Sequence, residues 1–255
     1  MKIIIPQNYF AGLWALNLAD EFKNNIQIKP ASLIAQEIVD SEEPDNLYML
    51  PTLNLMKNKE LFVSSKCAVS FDGLLSNSYL YFKPNSEVFD SIYVRGDVSM
   101  NEILLSKILF AERYESSPEI KLDSEPELDK SGKNYLIVGN ENINADFMEE
   151  GVGFSDQMAS LLTYPYVDFV LVSKSQEGLS EFDSKYPSFD KLVIDSIDDS
   201  LEKFKFKPEI SEFIKMNIDS VSFELSQIER EALNELLRLP YYHGMMEEMF
   251  DLKFI

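Results

Sequence analysis

The chain contains one cysteine, one histidine, one tryptophan and only four arginines. Each scarcity excludes a class of chemistry. Cys67 stands alone, so neither an intramolecular disulfide nor a thiolate zinc set can form. His243 is the sole histidine, which removes nearly every Ser-His, Cys-His and multi-histidine metal arrangement. No run approaches the roughly 18 apolar residues of a membrane-spanning helix. The opening Met1-Lys2-Ile3-Ile4-Ile5-Pro6 has no secretory apolar region or small-residue cleavage site. The expectation is a soluble protein of a reducing, cytoplasmic compartment, with no membrane partner, no metal and no cofactor.

Positive charge is also short. Against 44 Asp and Glu stand 23 Lys and Arg, a formal net charge of −21. Such a surface repels polyanions, so a nucleic-acid partner is excluded. The arginines are Arg95, Arg113, Arg230 and Arg238. Any anionic ligand must therefore be held mainly by hydroxyls, backbone amides and helix ends. The 255 residues, 45% of them hydrophobic, suffice for about two domains with ordinary cores.

Element order speaks for an α/β protein with a largely parallel sheet. Lys2 to Pro6 reads as a buried strand, Leu13 to Phe22 as a helix and Ile26 to Lys29 as a second strand. A helix opens after Pro30, and Leu47 to Leu50 is a third strand. Two further strand-like segments, Ser78 to Phe82 and Tyr166 to Val172, bracket a second set. That set has a strand near Ser91 to Val94, a helix Met100 to Tyr114, a strand Tyr135 to Val138 and a helix near Ser155 to Leu162. The acidic stretch Ser116 to Gly132 reads as a surface loop. After Lys191 to Asp195 come helices around Ile197 to Lys203 and Gln227 to Leu239. A chain that leaves one α/β unit, builds another and returns implies two lobes joined by two crossing strands. The expected lobes are residues 1–82 with 173–255, and 83–172.

Several pieces, in this order and spacing, carry a resemblance: Tyr9-Phe10-Ala11 after the first strand, Asp45 to Thr52, Ser78 to Phe82, Leu104 to Phe110, Tyr135 to Asn140, and Tyr164 to Phe169. Together they resemble the chorismate dehydratases of the futalosine route to menaquinone. The resemblance spans most of the chain and implies a two-lobed, type II periplasmic-binding-protein-like fold. It also implies a small-molecule carboxylate held between the lobes by loops and helix N-termini, which favour negative charge. The implied reaction, loss of water from chorismate to leave 3-enolpyruvylbenzoate, needs no cofactor or metal.

The departures from that family fall on site positions. Its Tyr-Leu-Asn becomes Tyr9-Phe10-Ala11, so a hydrogen-bonding asparagine is lost unless Asn8 substitutes. Its Thr-Ser pair, at the start of the second lobe's first helix, is replaced by Gly96-Asp97-Val98-Ser99. Ser99 with Glu102 instead has capping-box spacing. Asn140 stands where an aspartate is usual and cannot serve as a general base. Met158 replaces an expected tryptophan.

Candidate substrate-binding residues are Asn8, Tyr9, Thr52, Ser70, Ser76, Ser78, Ser99 and Asn140; no catalytic residue is assigned. Each has a structural alternative. Thr52 is also an ordinary N-cap, Ser70, Ser76 and Ser78 can satisfy turns, Ser99 with Glu102 caps a structural helix, and Tyr9 and Trp14 can fill the core. Lys66, Lys83, Arg95 and Lys107 are each a cleft cation or solvated surface. His243 is a cap or surface residue. Met245 to Phe250 is apolar at helical spacing and is expected to pack on the first lobe. Two functions follow: a chorismate-dehydratase-like enzyme eliminating water in a closed cleft, or an inactive paralogue that binds a small molecule on the same fold.

Overall fold

The computed structural model describes residues 1–84, 88–143 and 150–255. The chain opens with β1 (Ile3–Pro6), α1 (Tyr9–Leu16), α2 (Asp20–Lys23), β2 (Ile26–Lys29), α3 (Ala31–Asp40) and β3 (Leu47–Pro51). A 3-10 turn, Thr52–Lys57, leads into β4 (Phe62–Phe71), β5 (Ser78–Tyr81), β6 (Ser91–Gly96) and α4 (Met100–Tyr114). Then follow β7 (Glu119–Leu122), β8 (Asn134–Val138), β9 (Val152–Gly153), α5 (Phe154–Leu162) and β10 (Tyr166–Ser173). The chain closes with α6 (Gln176–Ser184), α7 (Phe189–Ile194), α8 (Ile197–Phe204), α9 (Pro208–Asn217), β11 (Val221–Glu224), α10 (Gln227–Tyr242) and β12 (Lys253–Phe254).

These strands form two sheets. The first runs β11-β4-β10-β3-β1-β2, with β12 also paired to β4; the second runs β7-β6-β8-β5-β9. Both are mixed rather than largely parallel. β1 is parallel to β2 and β3, but β10 opposes both β3 and β4. In the second sheet β6 is parallel to β7 and β8, whereas β5 opposes β8 and β9. The strands that carry the chain from one sheet to the other run against their neighbours.

Sheet pairing also moves the changeover points. Ser78–Tyr81 pairs within the second sheet and Tyr166–Ser173 within the first. The chain therefore changes sheet between Phe71 and Ser78, and returns between Gly153 and Tyr166, instead of at 82 and 172.

Local chemistry explains the boundaries. Helix α1 starts at Tyr9, before the expected Leu13, because the Asn8 side chain accepts the Ala11 N–H at 2.8 Å. It ends at Leu16, where the Asn17 amide folds back onto Leu13 O at 2.8 Å, so the single helix expected through Phe22 is two. The longest strand of the first sheet, β4, does not alternate in sequence: Ser64, Ser65, Lys66 and Ser70 interrupt it. A bulge absorbs them, with Ser64 Oγ accepting the N–H groups of Lys66 and Cys67 at 3.0 and 2.9 Å. Within Ser116 to Gly132, read as loop, Glu119–Leu122 adds an edge strand parallel to β6. Lys191 to Asp195 belongs to α7 and its cap. Met245 to Phe250 is not helical, since α10 stops at Tyr242 and Gly244 turns the chain with φ of 66°.

One apolar core joins both sheets. Trp14 lies fully buried between Phe182 and Phe189, each ring centroid 6.0 Å away, which settles it as a core residue. Met158 is likewise wholly buried. Among the described residues no helix is long and apolar enough to cross a membrane.

Candidate functional site

The two sheets meet where the β4–β5 crossover and β10 pass between them, and a polar network fills that junction. Its centre is Asp168, the one carboxylate in β10 and only 1% exposed. Oδ1 of Asp168 accepts from Asn101 Nδ2 at 2.9 Å and from the Tyr166 hydroxyl at 3.0 Å. Oδ2 accepts from Asn77 Nδ2 at 3.1 Å. Asn101, second in α4, reaches across to the first half of the fold, its Oδ1 accepting the Leu53 N–H at 2.9 Å. Thr52 donates to the carbonyls of Val167 and Asp168, at 2.8 and 3.0 Å. Every donor here satisfies a buried acceptor, as a dry interior demands.

Beside Asp168 lies Glu102, also fully buried. Its Oε2 accepts from the Ser99 N–H at 2.8 Å and the Ser99 hydroxyl at 2.7 Å, completing the capping box. Burial is the first cause raising both carboxyls, Glu102 to about 8 and Asp168 to about 6, and the charge of Asp168 pushes Glu102 further. Two such neighbours titrate as a unit. Burial and the neighbouring Asp168 charge both favour the protonated form of Glu102.

A third carboxylate closes the cleft. Asp97 follows β6, and its Oδ1 accepts the Ala31 N–H at 2.7 Å, the first amide of α3 in the other half of the fold. Pro30, which precedes that helix, offers no side-chain cap. Burial raises the Asp97 carboxyl, while the amides of Ala31 and Gln7 oppose the rise. Gly96 aims it: φ is +90°, and a Cβ there would sit 2.0 Å from Val138 O. Asp97 thus occupies the position at a helix N-terminus where a ligand carboxylate would dock.

Inside this contact is a cavity of about 10 Å³ whose lining includes Tyr9, Phe10, Ser76, Asn77, Gly139 and Asn142. That space admits about one water molecule and no cyclic ligand. Outside it, a groove of about 830 Å³ opens between Pro30, Asn54 and Lys57 on one side and Arg95, Asp97 and Met100 on the other.

Tyr9 and Ser76 line the small cavity, and Asn8 adjoins it. Asn8 uses its oxygen as a cap, while its Nδ2 is buried with no partner. Tyr9 is half-buried, with its ring edge-on to Phe204 and Phe206. Asn140 follows the cavity-lining Gly139, and its Oδ1 is buried without a partner. The Ser76 hydroxyl accepts the N–H groups of Ser78 and Ser155, at 3.2 and 3.1 Å, so it caps α5 from another element. Ser78 is buried in β5 opposite Val138. Ser99 is a helix cap, and Thr52 is neither an N-cap nor in the small cavity but a tie to β10. Ser70 lies in β4, its hydroxyl buried without a partner, and is not among the residues of that cavity.

Of the cations, Arg95 pairs with Glu141 at 2.5 Å and Lys66 donates to Asp183 O at 3.1 Å. His243 caps α10, its Nε2 3.1 Å from Glu112 Oε1. Sequence reasoning missed Asp97, Asn77, Asn101 and Asp168 as a group. The available signal was Asp168 itself, a lone carboxylate in the otherwise apolar strand Tyr166 to Val172.

No family model matches the sequence, and no curated protein matches it. Solved structures share its architecture. Protein AF1704 from Archaeoglobus fulgidus is 11% identical, with a TM-score of 0.61 over 96% of this chain and 98% of that one. The periplasmic aliphatic sulphonate binding protein SsuA from Escherichia coli is 10% identical, with a TM-score of 0.53 over 99% and 95%. The CA3427 gene product of Candida albicans, which exhibits the generic periplasmic binding protein fold, is 11% identical, with a TM-score of 0.52 over 98% and 91%. The chain has that two-sheet α/β fold, the generic periplasmic binding protein fold.

Proposed function

We propose that the chain is a small-carboxylate-binding protein, seen closed, in which the ligand's carboxylate replaces Asp97 at the amides of Gln7 and Ala31. The observation that carries this is the 2.7 Å bond from Ala31 N–H to Asp97 Oδ1. An internal carboxylate on an otherwise uncapped helix N-terminus marks an anion position. The unpartnered Asn8 Nδ2 supplies a donor close by. SsuA, which shares the fold, binds aliphatic sulphonates, also small anions. Since the inner cavity holds only about 10 Å³, ligand entry requires the two halves to separate.

The scaffold is that of the dehydratase resemblance, but its chemistry is not carried over. Ala11 is wholly buried and offers no side-chain hydrogen bond, and Asn140 supplies no base. One observation favours the enzyme reading: Asp168, with a carboxyl raised to about 6, lies one residue, Asn77, from the cavity. Three side-chain donors tie that carboxyl down, which suits a structural role.

The test is incubation of purified protein with chorismate, followed by mass spectrometry of the products and of any molecule released on denaturation. A bound small carboxylate with no 3-enolpyruvylbenzoate supports the binding function. Turnover of chorismate would replace it with the dehydratase.

A further inference from the structure

The groove of about 830 Å³ lies outside the Asp97–Ala31 contact, and the cleft function makes no use of it. Its walls include the half-buried Met56, Val98, Met100, Leu104 and Met245, drawn from both halves of the fold and the C-terminal segment. Methionine-rich walls of this size accommodate varied apolar bodies. The polar atoms are the more informative feature. Asn54 is more than nine-tenths buried, and its Oδ1 has no partner. Asp97 Oδ2 and Arg95 Nε are also buried without partners, and all three residues line this groove. Lys57, an exposed lysine on the Asn54 side of the groove, is in no ion pair among the described residues. Unmet groups of this kind cost free energy unless something satisfies them.

The four groups divide by sign. Asn54 and Asp97 offer acceptors, one of them a carboxylate. Arg95, whose guanidinium already pairs with Glu141, offers its Nε donor, and Lys57 offers an exposed ammonium. A complementary occupant has an ammonium for the first pair, a carboxylate for the second and an apolar body for the methionine wall. We propose that this groove binds an apolar α-amino acid, free or as the two ends of a short apolar peptide. Its ammonium would bridge Asn54 and Asp97 across the two halves, and its carboxylate would lie against Arg95 Nε and Lys57. An ammonium on Asp97 favours the closed contact, whereas a carboxylate in the cleft displaces Asp97, so the two ligands oppose each other. Groove binding stands even if the cleft function fails.

Calorimetric titration of the full chain tests this with L-leucine, L-phenylalanine and the dipeptide Leu-Phe. N-acetyl-L-leucine, lacking the ammonium, and isopentylamine, lacking the carboxylate, are the comparisons. Saturable binding of a free amino acid or of Leu-Phe is expected, weakened at least tenfold in both comparison compounds. Leu104→Glu should abolish it, and Asn54→Leu should weaken it at least fivefold. Met245→Glu, on a non-helical segment, repeats the wall test should Leu104→Glu fold poorly. No saturable heat with any of the three ligands overturns the proposal. So does binding that survives both wall substitutions, which would place the ligand elsewhere.

Discussion

Replacing Glu102 by Gln isolates the cost of burying an acid in this fold. In the unfolded chain Glu102 titrates at its ordinary value of 4.5; in the fold, burial and the neighbouring Asp168 hold it near 8. Between those values the folded state binds one more proton than the unfolded state. Stability therefore falls as pH rises through that window and levels off above about 8. Each pH unit costs about 1.4 kcal/mol while the difference is a full proton, so the raised Glu102 carboxyl, titrating with Asp168, lowers stability by about 3 kcal/mol from pH 5 to pH 8. Gln keeps the oxygen that accepts from Ser99 N–H and carries no charge at any pH. Urea unfolding of both proteins at pH 5, 6, 7 and 8 is the assay. The variant should equal or exceed wild type at pH 8, with a fall from pH 5 shallower by about 3 kcal/mol. General repulsion among the other acidic groups affects both proteins alike and cancels in the comparison. Parallel curves would show that Glu102 is already ionised in the fold, and would refute the account of the buried pair.

Asn101→Ala removes two donated bonds to Asp168 and leaves the buried Leu53 N–H without its acceptor. A loss of about 3 kcal/mol in urea unfolding is expected, against under 1 kcal/mol for an exposed residue such as Glu42→Ala. Gly96→Ala forces a Cβ to 2.0 Å from Val138 O at a positive φ, so it should shift the β6–α4 turn and release Asp97. Faster hydrogen exchange at the Ala31 amide is the readout. Trp14→Ala, cut from the contact with Phe182 and Phe189, should cost about 3–5 kcal/mol with no change in ligand affinity.

The sequence made the scaffold legible where one rule decides the outcome. Buried parallel strands such as Ile3–Pro6 are apolar runs, and Ser99 with Glu102 announces a capping box that the structure contains. Legibility failed where a tertiary partner supplies what the local sequence lacks. β4 survives its serines only because Ser64 satisfies a bulge and three other strands flank it. β7 exists because β6 pairs with it, and Met245 to Phe250 has helical spacing but follows a glycine turn. Tyr9 and Ser76 line one cavity, and Asn8 and Asn140 are chain neighbours of residues that line it. In the sequence Asp97 is only part of Gly96-Asp97-Val98-Ser99, the run that replaces the family's Thr-Ser pair. Its partner, Ala31, is 66 residues away, and no local pattern reveals that Asp97 fills an anion position.

The most direct measurement of the central claim is a calorimetric titration with small carboxylates, benzoate and chorismate among them, of wild type and Asp97→Ala in parallel. If Asp97 competes for the amides of Gln7 and Ala31, removing it should tighten carboxylate binding about tenfold or more, a charge-assisted contact of roughly 1.5–3 kcal/mol being lost to the competitor. Asp97→Asn, which keeps an oxygen but not the charge, should fall between the two. Equal affinities in all three proteins, or tighter binding in wild type, would contradict the claim that Asp97 stands where the ligand's carboxylate belongs.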